Sequence, residues 1–74
     1  MTLADLNIEQ TAKVLKINCD DDLKRRFYSF GITKGALITV EEMSLAKNTL
    51  EINIEDTSVG MRIVEAQSIE VELI

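Results

Sequence analysis

The 74-residue chain contains no histidine, no proline and no tryptophan, one cysteine and three glycines. Without histidine it lacks the commonest general base and the commonest nitrogen ligand for a metal. A single thiol, Cys19, rules out an internal disulfide. Without proline, only glycines and polar clusters can mark turns. Aromatics are 4% of the chain and fall together, as Phe27, Tyr28 and Phe30. Positive charge is also scarce: 8 Lys and Arg stand against 13 Asp and Glu, for a net charge of −5. That balance argues against general nucleic-acid binding and against adhesion to an anionic membrane. No apolar run approaches the roughly 20 residues of a membrane span, so no direct membrane insertion is expected. The opening MTLADLNIEQ has no basic segment followed by an apolar one, so it does not read as a signal peptide and a cytoplasmic location is expected.

What is present is organised around Asp20–Gly35, DDDLKRRFYSFGITKG. Asp20, Asp21 and Asp22 can cap the free N–H groups of a first helical turn, and their charge suits the positive end of the helix dipole. Leu23, Phe27 and Phe30 recur at spacings of four and three and are expected to share a core-facing side. Arg26 falls at the edge of that side and Arg25 points away from it. Gly31 offers a positive φ just past the helix end, and Gly35 offers the same in the next turn.

The rest reads as short strands. Thr2 to Leu6 resembles a capped turn that anchors Leu3 and Leu6. Thr11–Asn18 is expected to be a strand whose imperfect alternation calls for a bulge or a sharp bend. Ala36–Met43 and Thr49–Glu55 alternate, with Ile38, Val40, Leu50, Ile52 and Ile54 inward. Ser44–Asn48 and Asp56–Ser58 are expected to be turns. Val59–Ile63 reads as a strand in which Gly60 marks a close backbone approach. Val64–Ser68 reads as a helical turn and Ile69–Leu73 as a closing strand. These segments predict a single domain over residues 1–74. Its expected fold is mainly β: a small SH3-like barrel of about five strands, with one helix inserted after the first long strand.

Few residues carry chemistry. The cluster Lys24, Arg25 and Arg26 reads first as a solvated helix face with Arg26 paired to a carboxylate, second as a protein-contact patch, and third as a nucleic-acid contact. Asp20–Asp22 with Glu41 and Glu42 have the oxygen donors of a hard-cation site, but they lack a loop glycine pattern, and helix capping accounts for the aspartates. Cys19 beside these acids reads as structural. Phe27 and Phe30 read as core, and Tyr28, on the other side of the helix, as a surface contact. There is no nucleophile–base pair, phosphate loop or metal motif, so no enzyme is expected, and no cofactor or metal site is assigned.

The segment LKRRFYSFGITKGALITV resembles the corresponding segment of the FeoA family through Leu23, Arg25, Arg26, Phe27, Phe30, Gly31, Ile32 and Gly35. The ending MRIVEAQSIEVE is similar through Met61, Arg62, Glu65, Ala66, Ile69 and Val71, and the opening through Leu3, Leu6 and Val14. The chain departs from the family where Glu9 replaces a usual glycine, where Ser44–Asn48 lacks a usual proline, and where Phe27 and Phe30 replace common leucines. A similar barrel also occurs as the C-terminal domain of DtxR-type repressors.

The resemblance implies a small cytoplasmic accessory protein of bacterial ferrous iron uptake. It would dock on the membrane permease FeoB and modulate its GTPase or transport cycle. Arg25, Arg26, Tyr28, Gly31 and Gly35 are the expected partner-binding residues. The alternative is a stand-alone SH3-like interaction or metal-sensing module.

Overall fold

A computed structural model describes residues 1–46 and 48–74. A 3-10 turn (Leu3–Asp5) precedes β1 (Thr11–Ile17), α1 (Asp21–Ser29), β2 (Leu37–Met43), β3 (Thr49–Ile54), β4 (Thr57–Arg62), the single turn α2 (Ile63–Ala66) and β5 (Ile69–Leu73). The five strands form one antiparallel sheet in the order β4-β3-β2-β1-β5.

The sheet buries its apolar face on itself. Val14, Ile38, Val40, Ile52, Ile54, Ile69 and Val71 fill the centre, with Phe27 from α1 and Leu3 and Leu6 from the N-terminal turn. No polar side chain is buried among the described residues. The irregular pattern of β1 has the expected cause. Its register against β5 shifts between Val14 and Lys16, so Val14 and Ile17 are both buried and Leu15 turns outward. A second register shift, between Val40 and Glu42, lies in β2.

The ends of α1 follow from its sequence. The Asp20 carboxylate accepts from the Leu23 N–H at 2.8 Å. At the other end Gly31 takes φ +90 and its N–H donates to the Tyr28 carbonyl, while the Ile32 N–H donates to the Phe27 carbonyl. This is a Schellman closure that stacks buried Ile32 on buried Phe27. Gly35 also takes φ +90, and its N–H donates to Val14 in β1.

Four expectations change. Phe30 is not core: it is the C-cap of α1 and 38% exposed, because Ile32 occupies the apolar position after the reversal. The β3–β4 turn lies at Glu55 and Asp56, both at positive φ, and Thr57 and Ser58 already belong to β4. Gly60 marks open space rather than a close approach, since a Cβ there would meet nothing within 4 Å. The barrel is also not sealed by strand pairing. β4 and β5 are the two edges; α2 joins them in sequence, and Thr2 bridges to Glu70 on the β5 side. Within the expected turn Ser44–Asn48, Leu45 and Ala46 do turn, and Lys47 lies outside the described residues.

Candidate functional site

The residues expected to contact a partner do not form one patch. The Arg25 side chain is exposed and, among the described residues, bonds only to Asp22 one turn back, at 3.3 Å. Tyr28 is 50% exposed, and with the exposed ring of Phe30 it leaves two of the three aromatics on the surface. Gly31 continues this end of α1 toward the tip of the β3–β4 hairpin, where the nearest atoms to a built Cβ are Ile54 Cγ2 at 3.5 Å and Glu55 Oε2 at 3.8 Å. Gly35 instead sits against β1.

Arg26 faces elsewhere. Its guanidinium donates to Glu65 Oε2 at 2.5 Å, while Glu65 Oε1 accepts from the Arg62 backbone N–H at 2.9 Å. One carboxylate therefore caps α2 and ties it to α1. It also neutralises the one basic residue that Lys24–Arg26 contributes to the second surface feature.

That feature is an open groove of about 1030 Å3. Two cross-strand rows of β2, β3 and β4 contribute to its lining. One is Met43, Leu50 and Met61; the other is Glu42, Glu51 and Gly60. Ile8, Ser44, Leu45, Thr49, Arg62 and the Arg26–Glu65 pair complete it. Ile8 is exposed, and Leu45, at the turn, is fully so.

The FeoA domain family matches residues 1–73. The chain belongs to the FeoA family. Among its relatives, a Helicobacter pylori (strain J99) chain carrying the name Fe(2+) transport protein A is 43% identical over 68 residues, 90% of this chain and 87% of that one. Solved structures agree on the architecture. FeoA from Stenotrophomonas maltophilia, described as a procaryotic SH3 domain protein and solved with zinc, superposes with a TM-score of 0.85 at 25% identity, covering 97% of this chain and 89% of that one. A manganese-dependent transcriptional repressor gives 0.90 at 22% identity, covering 100% of this chain and 36% of that one. The first relation places this chain in a family of Fe(2+) transport proteins; the last shows a shared fold.

Within this FeoA-family chain, Cys19 packs at the margin of the core. Burial and the charge of Asp20 raise its pKa, outweighing the opposite pull of Lys24 and Ser68, so the thiol is held in its less reactive form. Among the described residues no group of three or more His, Cys, Asp or Glu converges as a metal site. No described helix is long and apolar enough to cross a membrane.

The groove was not read from the sequence. Its lining comes from five separated stretches, and one local signal existed: Leu45 is a large apolar residue at a turn between two strands.

Proposed function

We propose that this chain is a cytoplasmic accessory protein of ferrous iron uptake that docks on the permease FeoB and modulates its GTPase or transport cycle. The observation that carries this reading is the outward end of α1. Arg25 and Tyr28 are exposed there, on the side of the helix away from Leu23 and Phe27. Arg and aromatic side chains are enriched in protein interfaces, and burying them there gains free energy that exposure does not. Gly31 extends the patch, Arg26 holds α1 against α2 behind it, and Gly35 fixes the loop that follows. No catalytic step is assigned to the chain; its effect on the partner would be exerted by binding.

The test is capture of full-length FeoB in detergent by the immobilised chain, with GTP, with GDP and without nucleotide. The native chain is expected to retain FeoB in at least one state, and Arg25→Glu and Tyr28→Ala to weaken retention. Equal retention by all three would remove the patch. No retention in any nucleotide state would remove the partner.

A further inference from the structure

The two edges of the sheet end differently. The edge of β5 is covered: Thr2 bridges to Glu70, and the Val71 N–H donates to the Met1 carbonyl. The edge of β4 has no such cover. The two-residue turn at Glu55 and Asp56 makes Ile54 and Thr57 a hydrogen-bonded pair, so Ile52–Val59 and Leu50–Met61 along the ladder are bonded pairs too. The pairs between them, Asn53–Ser58, Glu51–Gly60 and Thr49–Arg62, turn their N–H and C=O groups away from each other. Two bonds fix this phase. The Thr49 carbonyl accepts from the Ser44 N–H at 2.9 Å, on the β2 side, and the Arg62 N–H donates to Glu65 Oε1 at 2.9 Å, on the free side. Arg62 is thereby satisfied, and Ser58 and Gly60 are left. Among the described residues no group outside the ladder bonds to either N–H. Both residues are exposed, and for Gly60 the exposed surface is backbone alone. Proteins commonly blunt such an edge with lysine, proline or a covering segment, and Ser58–Gly60 has none of these.

We propose that the Ser58–Gly60 edge of β4 accepts an extended segment of a protein partner as a sixth, antiparallel strand, with Lys or Arg at the two positions that face Ser58 and Gly60. Each of those positions exchanges a pair of backbone bonds with β4. Their side chains project from the same face as Ser58 and Gly60. On that face Glu51 stands opposite Gly60, and the Glu41 carboxylate accepts from the Ser58 hydroxyl at 2.8 Å. Among the described residues no Lys or Arg pairs with either carboxylate, and Arg62 is the one basic residue of β4. A basic side chain facing Gly60 starts roughly 10 Å from Glu51, two strand spacings away. It can reach across because a Cβ at Gly60 would meet nothing within 4 Å, leaving the way open. The backbone supplies the seat and the carboxylates select the charge. A second copy of this chain fits poorly. The antiparallel register that uses all the free groups sets Ser58 of one copy opposite Gly60 of the other, and so aims each Glu51 at the other copy's Glu41. The inference does not rest on the identity of the partner proposed above.

The probe is a fluorescein-labelled heptapeptide, Gly-Lys-Val-Lys-Val-Lys-Gly, followed by fluorescence anisotropy and by amide hydrogen exchange on the 15N-labelled chain. In the free chain the Ser58 and Gly60 amides should exchange rapidly while Val59 and Met61, bonded within the ladder, are protected. Saturation with peptide should slow Ser58 and Gly60 at least tenfold. Methylating the backbone nitrogens of the peptide lysines, which face β4, should weaken binding about tenfold, and methylating those of the valines, which face away, should leave it unchanged. The double variant Glu41→Gln/Glu51→Gln should bind more weakly and with a flatter salt dependence. Gly60→Pro, which removes one outward donor at an edge position, should also weaken binding. If that variant fails to fold, the methylated peptides decide, because they leave the protein unaltered. Equal affinity for the two methylated peptides overturns the proposal, as does the absence of saturable binding. Slow exchange of Ser58 and Gly60 in the dilute free chain would mean that the edge is already covered and overturns it. Protection that grows with protein concentration alone would assign the edge to a second copy and overturns it as well.

Discussion

The three glycines allow one substitution to be tested with opposite expected signs. Gly31 and Gly35 both hold φ at +90, whereas Gly60 lies in β4 with no positive φ. A Cβ at Gly31 would stand 3.5 Å from Ile54 Cγ2 and 3.8 Å from Glu55 Oε2, which is ordinary contact, and a Cβ at Gly35 would meet nothing within 4 Å. Neither alanine therefore adds a clash. The cost is that of forcing an L residue into left-handed backbone, about 1–2 kcal/mol. Gly60→Ala does the reverse: it removes the entropy penalty of glycine within a strand and gains about 0.5–1 kcal/mol. At roughly 4–8 °C per kcal/mol for a domain of this size, Gly31→Ala and Gly35→Ala should melt several degrees lower and Gly60→Ala a few degrees higher. Urea unfolding with an unchanged m-value would confirm that the native state carries the effect. Destabilisation by Gly60→Ala would mean that the space outside β4 is filled. A neutral Gly31→Ala would refute the Schellman closure of α1.

Phe27→Ala should cost about 3–5 kcal/mol, because the ring is 1% exposed in the core, whereas Phe30→Ala should cost under about 1 kcal/mol. For a domain whose whole stability is roughly 0.05–0.15 kcal/mol per residue, the first variant should be close to unfolded by circular dichroism and the second should not. Glu9 holds φ at +74 where the family usually has glycine, so Glu9→Gly should raise stability in urea, by up to about 1 kcal/mol once the greater freedom of the unfolded chain is subtracted. Cys19 should alkylate more slowly than a thiol in an unstructured peptide at neutral pH. Because its folded pKa is raised above the unfolded value, its contribution to stability is complete below the unfolded pKa and is lost as pH rises through the folded one; Cys19→Ser should flatten that alkaline decline in the melting temperature.

What could be read from the sequence was local. Asp20, the Leu23–Phe27 spacing and Gly31 act within one helix, and each does in the structure what its chemistry predicts. The bulge in β1 could be inferred because one alternating pattern broke inside one strand. Phe30 misled because helical spacing was extended one residue past the point where the backbone leaves the helix, and Ile32 took the place beside Phe27. The β3–β4 turn misled because Asp56, Thr57 and Ser58 have turn chemistry, while the two residues that adopt positive φ are Glu55 and Asp56. A glycine in a strand reads the same whether it makes room inward or outward, so Gly60 could not be assigned without its neighbours. The groove depends on register between three strands, and register is a long-range property.

Places where a sequence departs from locally favourable choices tend to be functional, because stability is conceded there for another purpose. In this chain several such departures converge. Glu42 and Glu51 repel across a strand pair, Gly60 weakens β4 without any steric need, and Leu45 is fully exposed at a turn. Exposed Ile8 borders the same groove, and the next residue is Glu9, whose left-handed backbone sets the entry into β1. The α1 patch shows no comparable conflict, since Asp20 caps the helix, Arg26 pairs with Glu65 and Phe27 is buried. Exposed Tyr28 and Phe30 are a milder concession, of apolar area alone.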